Sequence, residues 1–318
     1  MARNGIHHVT AIAGKAQRNL DFYTRTLGLR LVKKTVNFDD PGAYHFYYGD
    51  EAGSPGTILT FFPWGNAAPG RAGTGELQET VFRVPQGAIG YWMQRLTPHG
   101  VERAEAFGET LLRFRDPDGM RLALAGLPGI EAEPAWSHPV EGDKVPAEMA
   151  IRGFHGVRLM LDRTEATGAI LADVFGFAEA AREGNTLRYR AEGTALGGIV
   201  DLEGVGGFLP ARPGRGSVHH LAFRAADDAA EMEMARRLVE NHGIRTTEQK
   251  DRDYFRSIYF REPGGVLFEI ATDIPGFAVD EAPEALGTGL QLPAFLRPHR
   301  AAIEAALPGR ATQREYPA

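Results

Sequence analysis

Two adjacent histidine pairs and one glutamate are the side chains of this sequence best suited to bind a metal ion. The pairs are His7-His8 and His219-His220, and Glu269 stands inside the apolar run Val-Leu-Phe-Glu-Ile. Two imidazoles and one carboxylate are the facial ligand set that holds non-haem iron and leaves positions open for oxygen and a substrate. These residue types predict iron-dependent oxygen chemistry, provided that the fold brings them together.

Glu269 carries much of this argument, because a carboxylate in an apolar strand is costly to bury without a compensating cation. That cation is either a metal ion or an arginine, for which Arg252 and Arg261 are the candidates. We favour a metal ion bound by Glu269 together with His220, which belongs to the same segment of the chain.

The third ligand is open between His8 and His155, since both stand at the start of a strand-like run. His8 has a histidine neighbour, as His220 does, whereas His155 stands alone between phenylalanine and glycine. Neighbouring strand residues point to opposite faces, so only a backbone bulge would turn both histidines of a pair the same way. A lone histidine is more commonly a core residue bonded to a carbonyl.

The elements that would position these residues follow one pattern used four times, a strand, a helix and three further strands. The opening strands are predicted at 6–12, 79–84, 155–161 and 218–223. The helices are predicted at 17–27, 89–98, 165–175 and 229–241, each followed by a glycine that ends it, Gly28, Gly100, Gly176 or Gly243. The last strands are predicted at 57–62, 120–125, 198–202 and 266–271. This pattern predicts an α+β fold of four βαβββ modules.

The modules divide the chain into two halves. Residues 1–126 hold the first pair of modules and residues 151–273 the second pair, and 127–150 read as a linker because they are rich in proline and charge. Residues 274–318 form a C-terminal tail with a helix near 298–306.

Alternation along the strands predicts which residues face a shared cup. The opening strands offer His8, Val81, His155 and His220, and the last strands offer Thr60, Ala123, Val200 and Glu269. Only the fourth module supplies both a histidine and a carboxylate, so one metal site per chain is expected.

Composition narrows the classes of partner. The net charge of −6, from 41 acidic and 35 basic residues, argues against nucleic acid or an anionic membrane as the main partner. The chain has no cysteine, so a metal ion must be held by histidine, carboxylate or backbone oxygen. No apolar run reaches the length of a membrane span, and the N-terminus has no signal-peptide pattern, which predicts a cytoplasmic protein.

Four sequence blocks resemble one known family: residues 5–10, 28–41, 218–224 and 251–265. They are similar to the hydroquinone-type ring-cleaving dioxygenases of the vicinal oxygen chelate superfamily, also called the glyoxalase/bleomycin-resistance superfamily. The resemblance runs over nearly the whole chain. It implies four βαβββ modules that form two curved mixed sheets, with the first and fourth modules sharing one cup.

The resemblance also implies roles for particular residues. Fe(II) would be held by His8, His220 and Glu269, with His155 as the alternative to His8 and with Mn(II) or another divalent ion as alternatives to Fe(II). The positions that surround the metal and substrate in the family fall on His7, Thr10, His219, Arg252 and Tyr259.

The activity implied is the opening of a hydroquinone-type or catechol-type ring with O2. Arg252 would stabilise a phenolate or peroxide oxygen, and Tyr259 or His219 would pass a proton. Without the family blocks, Arg252 would read as a surface residue of a polar loop and Tyr259 as a strand aromatic. The alternatives are a glyoxalase-like metal-dependent lyase or isomerase, whose sites often use a second carboxylate, and a non-catalytic small-molecule binding protein. Whether the chain forms a homo-oligomer is left open.

Overall fold

The computed structural model describes residues 4–135 and 145–309, which form two eight-stranded mixed sheets built from four βαβββ modules. The first module comprises β1 (Ile6–Ala13), α1 (Ala16–Asp21), β2 (Arg30–Asn37), β3 (Asp40–Gly49) and β4 (Ile58–Pro63). The second comprises β5 (Glu76–Pro85), α2 (Ile89–Arg95), β6 (Glu102–Ala106), β7 (Glu109–Arg115) and β8 (Arg121–Leu127). The third comprises β9 (Phe154–Leu161), α3 (Glu165–Asp173), β10 (Phe177–Glu183), β11 (Thr186–Ala191) and β12 (Ile199–Gly204). The fourth comprises β13 (Val218–Ala225), α4 (Asp228–His242), β14 (Lys250–Asp251), β15 (Phe255–Arg261) and β16 (Leu267–Pro275).

The order of strands shows how the modules pair. The first sheet runs β14-β15-β16-β13-β1-β4-β3-β2, which joins the fourth module to the first. The second sheet runs β10-β11-β12-β9-β5-β8-β7-β6, which joins the third module to the second. In both sheets the two opening strands pair antiparallel at the centre, and each opening strand also pairs parallel with the last strand of its own module. The predicted fold class and the sharing of one sheet by the first and fourth modules are confirmed.

The helix-ending glycines were also predicted correctly. Gly28, Gly100, Gly176 and Gly243 have φ of 72°, 63°, 70° and 68°, the left-handed region that glycine adopts at lowest cost. At its other end α4 is capped by Asp227, whose side chain accepts a hydrogen bond of 2.9 Å from the Ala230 amide. The first helix differs from the prediction, because α1 ends at Asp21 and the chain continues as a π-helical turn, Phe22–Thr26.

The core lies between the helices and the sheets. Trp92, Leu96, Ile170, Leu171 and Leu238 come from or directly follow the helices, and they are buried in one cluster with apolar side chains of the strands. Burying a large apolar side chain stabilises a fold by about 1.5–3 kcal/mol, so this cluster holds the helices on the sheets. The faces that the helices leave uncovered are available to form cups.

The tail covers the edge strand β2. The Gln291 amide donates a 2.9 Å hydrogen bond to the Lys34 carbonyl. The Lys33 side chain is fully buried and its ammonium bonds both Asp280 and Glu281 of the tail. Phe277 packs on Tyr254, with ring centroids 5.0 Å apart. These contacts fix the tail against the first sheet, ahead of a last helix α5 (Arg300–Ala306).

Residues 136–144, which hold part of the predicted linker including Pro139, lie outside the described residues. The division of the chain at 127–150 and 274 stays a prediction. No helix within the described residues is long and apolar enough to cross a membrane.

Candidate metal centre

His8, His220 and Glu269 meet on one face of the first sheet. They lie on β1, β13 and β16, which are neighbouring strands, and Ala222 stands opposite both His8 and Glu269 in the register. One ligand atom from each of the three lies within 4.8 Å of the others, and all three side chains are buried. The sequence placed these residues on matching strand positions, and the sheet order brings them together.

The distances within this group suit a shared cation. The Nε2 atoms of His8 and His220 are 3.3 Å apart, and they lie 3.2 Å and 2.8 Å from Oε2 of Glu269. These contacts are short enough for ion pairs, yet among the described residues neither Glu269 oxygen has a partner with hydrogen-bond geometry. A fully buried carboxylate in this condition is costly unless a cation sits against it. Two imidazoles and one carboxylate therefore fit a divalent transition-metal ion.

Arginine does not fill that role for Glu269. The Arg252 guanidinium bonds Asp39 Oδ2 at 3.2 Å and 3.3 Å, and Arg261 donates to the Gly265 carbonyl at 2.6 Å. Burial by itself would raise the pKa of Glu269, but the positive potential of His8 and His220 outweighs it and holds that pKa well below its usual range. Glu269 is therefore ionised, and the groups at ion-pair distance from it among the described residues are the two imidazoles.

Backbone bulges turn both histidines of each pair toward the site. Along the β1–β13 ladder, Ile6 pairs with Phe223 and His8 with Ala222, so His7 is an extra residue on β1. On the same ladder Thr10 pairs with His220 and Ala11 with Val218, so His219 is an extra residue on β13. Bulges of this kind re-aim side chains next to active sites. Each histidine pair is thus positioned by a bulge at its first histidine, once on β1 and once on β13.

Each bulged histidine bonds the ring of its neighbour. His7 Nδ1 lies 2.9 Å from His8 Nδ1, and His219 Nδ1 lies 2.8 Å from His220 Nδ1. If Nε2 of His8 and of His220 binds a metal, the proton of each ring is on Nδ1 and is donated to the neighbouring histidine. An outer hydrogen bond of this type orients a metal-binding imidazole and fixes its tautomer.

The neighbouring histidines are held neutral and can accept those bonds. Burial, with the charge of His8 as the next cause, lowers the pKa of His7 well below its ordinary value. The Thr272 backbone and the charge of Glu269 act in the opposite direction on the pKa of His7, but burial outweighs them. Partial desolvation at the edge of the site, followed by the charge of His220, lowers the pKa of His219 to about 4.

The metal-binding group opens into a cavity of about 240 Å³. Arg252 and Tyr259 line one side, and Arg252 Nε lies 3.4 Å from the Tyr259 hydroxyl. Burial and the negative charge of Glu269 raise the pKa of Tyr259 well above its ordinary value, so this hydroxyl keeps its proton. On this side the cavity therefore presents a fixed positive charge and a neutral hydroxyl donor to an occupant.

His155 does not join this group. It lies on β9 in the second sheet, where its Nε2 is 2.9 Å from Glu109 Oε2. Arg188 bonds the same Glu109 oxygen at 2.7 Å and grips Asp201 at 2.8 Å and 2.9 Å. The cavity there has only about 10 Å³. The corresponding cup of the second sheet is thus filled by a guanidinium and its carboxylates.

Several cavity residues were not foreseen. His45 and Tyr47 of β3 line the wall, and Asn37, Phe38 and Asp39 line the cavity from the end of β2 and the turn before β3. The alternation of His45 and Tyr47 on one face of β3 was visible in the sequence. What was missing was the sheet order that places β3 beside β4.

Known proteins resemble this chain along most of its length. A family model described as the glyoxalase/bleomycin resistance protein/dioxygenase superfamily matches residues 5–124. A Bacillus subtilis protein whose name assigns it to the ring-cleaving dioxygenases, MhqO, is 44% identical over 308 residues, with 95% of each chain covered. The chlorohydroquinone/hydroquinone 1,2-dioxygenase of Sphingobium indicum is 37% identical over 305 residues, with 91% of each chain covered.

A solved structure extends the likeness to three dimensions. The crystal structure described as that of a Bacillus subtilis dioxygenase has a TM-score of 0.90 and 44% identity, with 98% of each chain covered. The modular sheets and the cup define the superfamily. More narrowly, the chain belongs to the ring-cleaving dioxygenases, and it is an enzyme of that class.

Proposed function

We propose that this protein opens hydroquinone-type aromatic rings with O2, using Fe(II) held by His8, His220 and Glu269. The observation that carries the proposal is the fully buried Glu269, ionised and facing two imidazoles at the base of a cavity. The relative whose name includes hydroquinone 1,2-dioxygenase supports the substrate class. Mn(II) or another divalent ion remains the alternative metal.

The metal, when bound, would supply open positions for a substrate oxygen and for O2 and would carry electrons between them. The remaining work belongs to the side chains of the cavity. Arg252 offers a permanent positive charge to a phenolate oxygen, and its planar guanidinium can also fix the orientation of that oxygen. The neutral Tyr259 hydroxyl accepts a hydrogen bond from Arg252 and can donate its own proton to the same substrate oxygen.

His7 and His219 act through the metal-binding histidines in this proposal. Their Nδ1 atoms accept hydrogen bonds from the Nδ1–H groups of His8 and His220, which keeps both Nε2 lone pairs directed at the metal. His219 also lines the cavity, and because its Nδ1 accepts from His220, its Nε2 carries the ring proton and can donate a hydrogen bond to substrate. Thr10 lies beside these residues and lines the same cavity.

The cavity walls suit a single aromatic ring. Phe62, Trp64 and Phe255 line the cavity with the polar groups, and its volume of about 240 Å³ is below the range for drug-sized ligands. The lyase or isomerase alternative is less well supported, because no second carboxylate among the described residues joins His8, His220 and Glu269. Cytoplasmic residence stays a prediction of the sequence, and whether the chain forms a homo-oligomer stays open.

The proposal is tested with protein purified without oxygen and loaded with Fe(II). Hydroquinone, substituted hydroquinones and catechol are added in turn, while O2 uptake and the ring-opened product are followed. His220→Ala removes a proposed ligand and should abolish both iron content and turnover. His155→Ala removes a histidine that is also buried and paired with a carboxylate, but in the second sheet, and should retain both.

Two results would overturn the proposal. One is the absence of O2 uptake by the iron-loaded protein with every one of these substrates. The other is an iron content that is unchanged by His220→Ala, because the geometry then does not describe the metal site.

A further inference from the structure

Four side chains on one wall of the cavity form a continuous hydrogen-bonded chain that contains no metal-binding residue. Thr10 Oγ1 lies 2.9 Å from Thr60 Oγ1, which lies 2.8 Å from His45 Nε2. On the other side of the ring, His45 Nδ1 lies 3.0 Å from the Tyr47 hydroxyl. The chain crosses three neighbouring strands, β1, β4 and β3, and Thr60 stands opposite both Thr10 and Tyr47 in the register.

The two ends of this chain open into the same cavity. Thr10 lines it and stands opposite His220 on the β1–β13 ladder, so this end lies beside the metal centre. His45 and Tyr47 line the wall formed by β3, while Thr60 is completely buried and serves as the link. A molecule in the cavity therefore meets both ends of one hydrogen-bonded path.

Each member of the chain can both donate and accept a hydrogen bond. A hydroxyl has one proton and lone pairs to spare, and a neutral imidazole donates from one nitrogen and accepts at the other. The same contacts therefore have two consistent arrangements. In the first, bonds are donated in the order Thr10, Thr60, His45 and Tyr47, with the imidazole proton on Nδ1. In the second, every donor becomes an acceptor and the imidazole proton is on Nε2.

The surroundings of His45 keep its ring in place and neutral. Its centroid is 4.1 Å from that of Tyr47 and 4.3 Å from that of Phe62, so the imidazole is held between two aromatic rings. Burial, followed by the charges of His220 and His8, lowers the pKa of His45 well below its ordinary value. A neutral imidazole is what both arrangements need.

We propose that Thr10, Thr60, His45 and Tyr47 form a proton relay between the metal end of the cavity and the wall formed by β3. The inference rests on the proposed function, because the proton is that of a hydroquinone hydroxyl. Thr10 Oγ1 takes this proton and passes its own to Thr60, which passes its proton to Nε2 of His45. The proton on Nδ1 goes to the Tyr47 oxygen, whose own proton leaves to an oxygen acceptor in the cavity.

This passage moves one proton and leaves every member neutral. The relay then stands in its second arrangement, and the reverse passage, which returns a proton at Thr10, restores the first. Ring opening needs both directions, since a hydroxyl that binds a metal loses a proton and the opened product regains one. Thr60 is completely buried and acts only through its neighbours, and His45 takes part through Thr60 and Tyr47.

Thr60→Val is the sharpest test, because it removes the buried hydroxyl in the middle of the relay and keeps the side-chain shape. With iron-loaded enzyme and hydroquinone, kcat should fall about a hundredfold, the lower end of the range for a positioned acid–base group. KM and iron content should stay near the wild-type values. Thr60→Ser keeps the hydroxyl and should restore most of kcat.

Thr35→Val is the matched control. Thr35 is as buried as Thr60, stands opposite His45 on the neighbouring strand β2, and its Oγ1 has no hydrogen-bond partner among the described residues. Its kcat should remain close to that of the wild type. Equal losses of kcat in Thr35→Val and Thr60→Val, or a loss of iron in Thr60→Val, would overturn the relay while leaving the proposed function standing.

A second measurement does not depend on turnover. Spectra of protein labelled with ¹⁵N-histidine and loaded with Zn(II) report which nitrogen of His45 carries the proton. Thr60→Val should change the ratio of the two neutral tautomers of His45, Thr60→Ser should restore it, and Thr35→Val should leave it unchanged. An unchanged tautomer ratio in Thr60→Val refutes the relay, whether or not the protein turns over hydroquinone. Absence of hydroquinone turnover in the wild type would instead count against the proposed function and not against the relay.

Discussion

Glu269→Gln should abolish the stabilisation of this protein by metal. The substitution keeps the size of the side chain and removes the charge that faces His8 and His220 at 3.2 Å and 2.8 Å. Loss of an outer partner of a metal ligand already weakens metal binding about 10- to 100-fold, and loss of a direct ligand should weaken it more. The change is therefore expected to raise the metal Kd at least a hundredfold.

The size of the effect follows from binding linkage. A metal at 100 times its Kd stabilises the folded state by about 2.7 kcal/mol, and at a concentration equal to Kd by only about 0.4 kcal/mol. For a chain of this size 1 kcal/mol corresponds to about 2 °C in Tm. The wild type should therefore gain about 5 °C on metal loading, and Glu269→Gln less than about 1 °C at the same metal concentration.

The assay is thermal unfolding with and without the metal, and Glu109→Gln is its control. Glu109 is a half-buried carboxylate that bonds a histidine and an arginine in the second sheet. Glu109→Gln should lower Tm with and without metal by the same amount, and so keep the metal-induced rise. A full rise in Glu269→Gln, or its loss in Glu109→Gln, would refute the assignment of the centre to the first sheet.

Three further outcomes are expected. In steady-state assays, Arg252→Gln should lower kcat/KM for hydroquinone about 10- to 100-fold. The control Asp39→Asn breaks only the ion pair of Arg252 with an exposed partner and should change kcat/KM less than about fivefold. Equal effects of the two substitutions would contradict a role for Arg252 at the substrate. Phe277→Ala should lower the free energy of unfolding by about 3–5 kcal/mol, measured with denaturant. It should also weaken metal binding in titrations, because Phe277 contacts Phe255, whose ring centroid lies 5.1 Å from that of His8. Unchanged metal affinity would show that the tail does not support the site. Burial raises the pKa of Asp116 to about 6 from the ordinary 3.8, so the unfolded state releases this proton at lower pH than the folded state. The free energy of unfolding of the wild type should therefore fall as pH rises from about 4 to about 6. Asp116→Asn should therefore gain up to about 3 kcal/mol relative to the wild type across that pH window, measured by denaturant unfolding at several pH values, and a difference that does not vary with pH would contradict the shift.

The sequence was sufficient for features that depend on local pattern. The fourfold repeat was readable from the strand and helix periods and from the glycines after each helix, such as Gly28 and Gly243, because these signals lie within a few residues of one another. The doubled histidines and the carboxylate in an apolar strand marked the chemistry for a similar reason. A conspicuous residue type in an unsuitable environment is visible without a structure.

Features that depend on pairing between distant strands were not predictable. The bulges at His7 and His219 are properties of the β1–β13 ladder, in which each strand supplies the extra residue at a different point. His45 joins the cavity because β3 lies beside β4, and Asp39 because the turn before β3 reaches Arg252. The filling of the second cup by Arg188 likewise needs Glu109 and Asp201 from two other strands.

The pairing of the outer two modules around the inner two has a consequence for folding during synthesis. The second and third modules are contiguous in sequence and can pair as soon as they are synthesised, whereas β1 must wait for β13 and β16. Pairing between segments so distant in sequence is slow, since the intervening chain must first be ordered. Until β16 has been synthesised, His7 and His8 lack the carboxylate that completes the proposed centre. The proposed metal centre can therefore assemble only after the fourth module has paired with the first.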